Sequence, residues 1–166
     1  MKRLAIVAGV LVVALGAAGA YWLTQSRAQM GDSEIVQVAQ QEIQAQVYRT
    51  PTCGCCGSWV EHATNHGFIF EDNIQEDITP IKEQFGITPD LASCHTTVAA
   101  GYVFEGHIPA ADVKKFLADP PADVVGLTVP GMPIGSPGME MGDRQEPYEV
   151  LALHKDGSTS VFQGYK

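Results

Sequence analysis

Residues 43–67 read IQAQVYRTPTCGCCGSWVEHATNHG, and this stretch decides the fold. Its pattern predicts a strand over residues 43–49, a loop over residues 50–54 and a helix over residues 55–66, with Gly67 as the C-terminal cap. Three cysteines fall where the loop meets the helix. The stretch therefore predicts a strand that leads directly into a helix whose first turn carries reactive side chains.

The remainder of the chain contains further predicted helices and strands. Helices are predicted over residues 80–85 and 110–117, and strands over residues 68–71, 96–104, 124–129, 149–153 and 159–162. An Asp-Gly pair in the last turn is a β-hairpin signal. This order predicts an α/β fold in a single domain with a C-terminal β-hairpin. A strand that runs directly into Cys-x-x-Cys at a helix start is also typical of a thioredoxin-like domain.

The N-terminus carries a segment without charge, from residue 4 to residue 23. About 20 apolar residues suffice to span a bilayer as a helix, and the Ala-Gly-Ala at residues 18–20 also resembles a signal-peptidase site. We therefore expect an N-terminal apolar helix that serves as a signal peptide or as a membrane anchor. Lys2 and Arg3 would stay on the cytoplasmic side in either case, so the rest of the chain is expected to be exported.

Composition divides the chain into three parts. Residues 1–25 are the predicted signal peptide or anchor, residues 26–41 are a tether rich in Gln, Ala and Ser, and residues 42–166 form the predicted thioredoxin-like, metal-binding domain. The chain has 19 acidic and 10 basic residues, for a net charge of −9. Such a charge repels nucleic acid, so we expect no nucleic-acid partner.

All four cysteines lie in two places: Cys53, Cys55 and Cys56 stand together, and Cys94 directly precedes His95. At the N-terminus of a helix, unpaired N–H groups and the helix dipole favour negative charge, which stabilises thiolates. Thiolates are soft ligands for Cu(I), Zn(II) and iron–sulfur centres, and a pair of thiols can instead act as a redox couple. The cysteines are therefore the candidate site.

Three interpretations of the cysteines compete. Disulfides are common in exported proteins, but Cys55 and Cys56 would have Cα atoms only about 3.8 Å apart. Only Cys53 with Cys56, leaving Cys55 with Cys94, gives comfortable geometry. Structural zinc usually takes two Cys-x-x-Cys pairs, whereas the second half here is Cys94-His95. Cu(I) accepts two or three thiolate or thioether ligands, so it suits three close cysteines and a distant one better than zinc does.

Side chains elsewhere offer further ligands. Met132, Met139 and Met141 lie in a Pro- and Gly-rich loop, and Met132 and Met139 are secondary ligand candidates. His95 is another, either as a ligand or as the hydrogen-bond partner of one. The other histidines are expected to lie outside the site, because they are isolated in sequence or too far along the first helix: His62, His66, His107 and His154.

Four separate stretches resemble one protein family. They are residues 50–57 (TPTCGCCG), 91–96 (LASCHT), 101–110 (GYVFEGHIPA) and 129–140 (VPGMPIGSPGME). In this order they closely resemble the CopG-type family of small bacterial metal-binding proteins, long catalogued as a domain of unknown function. The resemblance covers most of the predicted domain.

That resemblance implies a thioredoxin-like domain in the periplasm, associated with copper resistance. It implies that Cys53, Cys55, Cys56 and Cys94 bind copper, with a Cu(I) cluster as one form. It also implies that the Val-Pro pair at residues 129–130 is the strand-entry proline of such folds, usually cis, which would bring the methionine loop close to the cysteines.

The expected function is that of an exported copper-binding protein that holds Cu(I) for copper resistance, storage or delivery. The alternative is a periplasmic thiol-disulfide or copper oxidoreductase that uses Cys53 and Cys56. The expected partners are copper ions, other periplasmic copper-handling proteins and, if residues 4–23 stay uncleaved, the inner membrane. Zinc is the alternative metal. The protein is expected to be periplasmic, either soluble or tethered to the inner membrane.

Overall fold

The computed structural model describes residues 42–166. Across these residues a seven-stranded sheet is accompanied by three helices. The elements in chain order are β1 (Ile43–Arg49), α1 (Gly54–Asn65), β2 (Phe68–Ile74), α2 (Thr79–Gln84), β3 (His95–Ala99), β4 (Tyr102–Glu105), α3 (Ala110–Ala118), β5 (Val124–Thr128), β6 (Tyr148–His154) and β7 (Thr159–Tyr165). The mixed α/β class is thereby confirmed.

The sheet is mixed, with strand order β2-β1-β3-β4-β5-β6-β7. Two parallel pairs, β1 with β2 and β4 with β5, are connected through α1 and α3 respectively, as parallel neighbours require a crossover. All other neighbours are antiparallel, including the C-terminal hairpin of β6 and β7. Because β1 and β3 run in opposite directions, the end of β1 lies beside the start of β3, where Arg49 pairs with His95.

The main core holds the two crossover helices against the sheet. Trp59 of α1 and Phe116 of α3 are both almost fully buried in one cluster with Phe104 of β4, whose ring packs edge-on to that of Phe116. The indole Nε1 of Trp59 donates a hydrogen bond to the carbonyl oxygen of Ile108 at 2.8 Å. This bond satisfies the polar atom of the side chain inside the core, and it ties α1 to the segment that follows β4.

The sequence predicted one extended run over residues 96–104, and this prediction is wrong in one respect. The run is two strands, β3 and β4, joined at Ala100 and Gly101, whose φ angles are +50° and +83°. Positive φ at both central residues is the requirement of a tight two-residue hairpin turn. The turn cannot be recognised from the sequence because its first central residue is alanine, and a non-glycine residue seldom adopts positive φ.

Within residues 42–166 no helix combines the length and the apolar character needed to cross a membrane. The predicted signal peptide or anchor and the predicted tether, over residues 1–25 and 26–41, lie outside the described residues. The same holds for the predicted N-terminal apolar helix.

Candidate metal centre

Three of the cysteines are positioned by the N-terminus of α1. Cys53 is the residue before the helix, with extended backbone angles, and its N–H bonds to the carbonyl oxygen of Thr50 in the turn after β1. Cys55 and Cys56 lie in the first turn of the helix. Cys56 is fully buried, whereas Cys53 and Cys55 are partly exposed. The start of α1 therefore supplies three of the four cysteine sulfur atoms.

Cys94 reaches the same place from the start of β3. Its Sγ lies 3.7 Å from Sγ of Cys55, which in turn lies 3.5 Å from Sγ of Cys53. Sγ of Cys56 lies 3.6 Å from the carbonyl oxygen of Cys94. All four sulfur atoms fall within 4.8 Å of one another. Two segments 38 residues apart in sequence thus bring four soft donor atoms together.

The four cysteines are not equivalent in this structure. Cys53 and Cys56 form a disulfide, with their Cα atoms 5.4 Å apart, while Cys55 and Cys94 are free thiols. The sequence favours the pairing of Cys53 with Cys56, and the structure contains it. The second bond of that arrangement, between Cys55 and Cys94, is not formed. Burial raises the pKa of the Cys94 thiol to about 12, with the nearby Cys55 adding to the shift. Cys94 therefore carries its proton at neutral pH when no metal is present.

His107 was predicted to lie outside the site, and this prediction is wrong. The side chain is fully buried, and its Nε2 lies 2.9 Å from Sγ of Cys94. Its Nδ1 lies 2.7 Å from the carbonyl oxygen of Pro137. A carbonyl oxygen only accepts, so Nδ1 carries the hydrogen and Nε2 keeps a free lone pair that faces the sulfur.

The register of the β3–β4 hairpin explains why sequence reasoning missed His107. Thr96 pairs with Glu105, so the antiparallel register, continued by two residues, sets Cys94 opposite His107. The sequence predicts that Cys94 and His107 are neighbours only if the hairpin turn is placed at Ala100 and Gly101.

His95, a secondary ligand candidate, is fully buried. Its Nδ1 lies 3.4 Å from Sγ of Cys94, and its ring packs on Trp59 and edge-on to His107. Its Nε2 has no hydrogen-bond partner, which is rare for a buried polar atom. Burial lowers the pKa of His95 well below its usual value, and burial also lowers the pKa of His107. Both rings are therefore neutral and able to donate a lone pair.

The methionine loop, residues 130–142, lies against the cysteines. Sδ of Met132 is 4.0 Å from Sγ of Cys55, and the side chain is 51% exposed. Gly138 has a φ of +81°, and a Cβ there would come within 2.8 Å of the carbonyl oxygen of Cys55, so only glycine lets the loop lie this close to α1. Met139 has no comparable sulfur contact among the described residues. The Val-Pro bond at residues 129–130 was expected to be cis; the described chain contains no cis peptide bond.

The three remaining histidines have partners outside the cysteine cluster. Nε2 of His62 accepts a hydrogen bond from the backbone N–H of Ala110 at 3.3 Å, and His66 lies beside His62 on the exposed side of α1. His154 lies 2.8 Å from the carboxylate of Asp123. The structure thus leaves these three out of the site, as the sequence predicts.

A buried ion pair supports the segment that carries Cys94. The carboxylate of Glu105 is fully buried and accepts from Lys82 Nζ at 2.5 Å, from the backbone N–H of Ser93 at 2.6 Å and from the Thr96 hydroxyl at 2.7 Å. Burial raises the pKa of Glu105, and the charge of Lys82 opposes that shift. Since Ser93 and Thr96 flank Cys94 and His95, this network fixes the backbone on both sides of the site.

The fold and the site define a mixed α/β protein with a compact cluster of cysteine and histidine side chains. Residues 91–139 match a family model described as a protein of unknown function, DUF411. Two solved structures, described as forms 2 and 1 of the copper resistance protein CopG, are also similar to the chain. Form 2 is 43% identical with a TM-score of 0.72, over 76% of this chain and 100% of that chain. Form 1 is 44% identical with a TM-score of 0.71, over 75% and 98%. No curated protein gives a match.

An identity of 43% over the whole of a solved relative establishes the relationship. The chain belongs to the CopG family, and the resemblance noted from four sequence stretches is confirmed.

Proposed function

We propose that the protein is an exported copper-binding protein that holds Cu(I) through Cys53, Cys55, Cys56 and Cys94, in a thioredoxin-like domain formed by residues 42–166. The observation that carries the proposal is the convergence of four sulfur atoms within 4.8 Å. The description of two similar structures as copper resistance proteins supports copper as the metal. The periplasm is the proposed location, reached through the N-terminal segment and with or without a lasting anchor in the inner membrane.

Sulfur chemistry favours Cu(I) over zinc at this site. Structural zinc sites use four ligands in a tetrahedron, usually drawn from two separated pairs, whereas three of the sulfurs here come from four consecutive residues. Cu(I) accepts fewer ligands and takes thioether sulfur, which suits zinc poorly. The thioether of Met132, 4.0 Å from Cys55 Sγ and half exposed, is placed where a soft ion would enter or leave. An exposed ligand of this kind is consistent with storage of copper or with its delivery to another periplasmic copper-handling protein.

The redox state of the Cys53–Cys56 pair would control the capacity of the site. A disulfide offers no thiolate, so two electrons and two protons from a thiol reductant must first convert it to two thiols. Metal binding then displaces the protons, because the thiolate is the ligand. In the disulfide form only Cys55 and Cys94 remain as thiol donors.

A second function is favoured by the same disulfide. Two Cu(II) ions could each accept one electron from the Cys53 and Cys56 thiols, giving two Cu(I) ions, one disulfide and two protons. Cys55 and Cys94 would meanwhile hold the ions. Exchange with a protein disulfide through Cys53 is the other version of this oxidoreductase function.

Anaerobic titration of the full chain with Cu(I) tests the main proposal. Fully reduced protein is expected to bind more than one Cu(I) per chain, and protein with the Cys53–Cys56 disulfide is expected to bind fewer ions, because two of four sulfur donors are withdrawn. Equal stoichiometry in the two forms would contradict the four-thiolate site.

The Cys55→Ser variant separates the two functions. The binding function predicts that copper stoichiometry falls sharply in this variant. If Cys55→Ser binds copper normally, and an insulin disulfide-reduction assay depends only on Cys53 and Cys56, the protein is an oxidoreductase.

Replacing Met132 with leucine is expected to weaken Cu(I) binding by about 10-fold without changing stability, because an exposed side chain contributes little packing and the thioether is lost. Met141→Leu is the matched control, since that side chain is 53% exposed in the same loop. Competition with a chromophoric Cu(I) chelator measures both affinities. Equal affinities for the two variants would remove Met132 from the site.

A further inference from the structure

We infer that Ser93 is a positioning residue, whose hydroxyl holds the methionine loop so that the thioether of Met132 faces the cysteine cluster. This inference rests on the proposed function, because Cu(I) is the ion that the thioether would bind. It assigns a role in the site to a side chain that offers no soft ligand atom of its own.

The two residues before Cys94 both bond to the same residue of the methionine loop. The hydroxyl of Ser93 donates a hydrogen bond to the carbonyl oxygen of Gly131. The backbone N–H of Gly131 donates a hydrogen bond to the carbonyl oxygen of Ala92 at 3.0 Å. Both polar groups of the Gly131 backbone are therefore held by the segment that leads into Cys94, and Met132 is the next residue of the loop.

Ser93 is itself fixed on two sides. Its backbone N–H donates a hydrogen bond to the carboxylate of Glu105 at 2.6 Å. Its side chain lies against Gly106, where a Cβ would overlap the Ser93 side chain and would lie 2.7 Å from the carbonyl oxygen of Val129. A functional group positions its neighbours well when packing and hydrogen bonds restrict its own conformation. The Ser93 hydroxyl meets this condition, so it can define where the loop lies.

The position of the Met132 sulfur depends on the backbone that carries it. The side chain is 51% exposed, so packing restrains only part of it. Its Sδ nevertheless lies 4.0 Å from Sγ of Cys55. Methionine is unbranched and has three rotatable bonds, so the place of the loop backbone decides whether the sulfur can reach the cysteines. That place is set one residue earlier, at Gly131.

The Ser93 hydrogen bond joins the two segments that approach α1 from elsewhere in the chain. Cys94 directly follows Ser93, and Met132 directly follows Gly131, so this one bond sets the thioether against the segment that supplies the fourth cysteine. Groups that orient a ligand usually affect the affinity for the metal. Because thioether sulfur suits Cu(I) and suits zinc poorly, the Ser93 hydroxyl should raise the affinity for Cu(I) and leave that for Zn(II) unchanged.

The Ser93→Ala variant tests the inference, because alanine keeps the backbone N–H for Glu105 and loses only the hydroxyl. Reduced full chain would be titrated anaerobically with Cu(I) against a chromophoric chelator, with and without Met132→Leu. We expect Ser93→Ala alone to weaken Cu(I) binding about 5-fold, the size of effect of one hydrogen bond. With Met132→Leu already present, we expect Ser93→Ala to change the affinity by less than about 2-fold, because the side chain that it positions is gone. Ser158→Ala is the control, since it also loses a hydroxyl hydrogen bond, to Asp156, and should match the wild type.

The outcomes separate this inference from the proposed function. Equal losses of affinity with and without Met132→Leu would show that Ser93 acts independently of the thioether, and would overturn the inference while the four-cysteine site stands. Unchanged Cu(I) affinity in Ser93→Ala would do the same, as would a parallel loss of Zn(II) affinity measured by the same competition. Wild-type protein that binds no Cu(I) in the reduced state would overturn the proposed function itself.

Discussion

Replacing Cys94 with serine is expected to prevent the binding of more than one Cu(I) per chain. The affinity for the one ion that still binds is expected to fall by more than about 100-fold. Loss of an outer partner of a ligand typically costs about 10–100-fold in metal affinity, and Cys94 is itself a proposed ligand. It supplies the one cysteine sulfur that does not come from the start of α1, and its Sγ lies 3.7 Å from that of Cys55. Without it, all the remaining cysteine ligands come from one short segment, so fewer sulfur atoms surround a bound ion.

Anaerobic titration of reduced Cys94→Ser against a chromophoric Cu(I) chelator gives both stoichiometry and affinity. The chain has only four cysteines, all in the cluster, so no cysteine elsewhere can serve as a control. The control is the thermal unfolding of the metal-free variant, which should stay within a few degrees of the wild type because serine is nearly the size of cysteine. Wild-type stoichiometry in the variant would show that the site does not need the second segment.

Replacing Lys82 with methionine is expected to lower the free energy of unfolding by about 3–5 kcal/mol, since it leaves the buried carboxylate of Glu105 without its counter-charge. Glu105 is fully buried and lies 2.5 Å from Lys82 Nζ. Lys114→Met is the control, because Lys114 is exposed and surface substitutions usually change stability by less than about 0.5 kcal/mol. Urea unfolding of the metal-free proteins measures both.

The double variant Lys82→Met with Glu105→Gln separates lost charge compensation from lost packing. A neutral glutamine at residue 105 can still accept the hydrogen bond from the Ser93 N–H and carries no charge to leave unpaired, so it should recover much of the lost stability. If Lys82→Met costs no more than Lys114→Met, the ion pair does not support the fold. The network also holds the backbone next to Cys94, so Lys82→Met should weaken copper binding as well.

The local part of the fold follows from sequence because its signals are local. The strand that ends at Arg49, the cysteines at the start of α1 and the cap at Gly67 all lie within 25 consecutive residues, and the structure reproduces each of them. Helix α3 likewise begins and ends close to its predicted bounds, and the C-terminal hairpin forms where it was predicted, although β7 continues three residues beyond the predicted end at residue 162. In each case, hydrophobic periodicity and turn residues determine the outcome without help from distant segments.

The non-local part of the site could not be predicted in the same way. His107 reaches Cys94 through the register of the β3–β4 hairpin, and that register depends on a turn in which Ala100 adopts positive φ. Lys82 reaches Glu105 only because α2 packs near the start of β3. Neither contact can be predicted from a short window of sequence, because each joins residues that are more than ten positions apart. The closeness of Cys94 to Cys55 was anticipated in two ways. Disulfide geometry favours Cys53 with Cys56 and leaves Cys55 with Cys94, and the resemblance to a family implies that all four cysteines share one site.

The methionines show a further limit of sequence reasoning. A loop rich in proline and glycine has no periodicity from which to read the direction of a side chain. Met132 and Met139 therefore had equal standing as secondary ligands in the sequence, yet in the structure Met132 Sδ makes the sulfur contact to Cys55. The decisive features are backbone ones, among them the close approach of Gly138 to α1.

The most direct test of the central claim is a crystal structure of the reduced, Cu(I)-loaded protein with anomalous diffraction measured on both sides of the copper absorption edge. The claim predicts copper peaks among the four sulfur atoms of Cys53, Cys55, Cys56 and Cys94, within bonding distance of Cys94 Sγ. Copper found elsewhere on the protein, or bound by the α1 cysteines with Cys94 turned away, would contradict it.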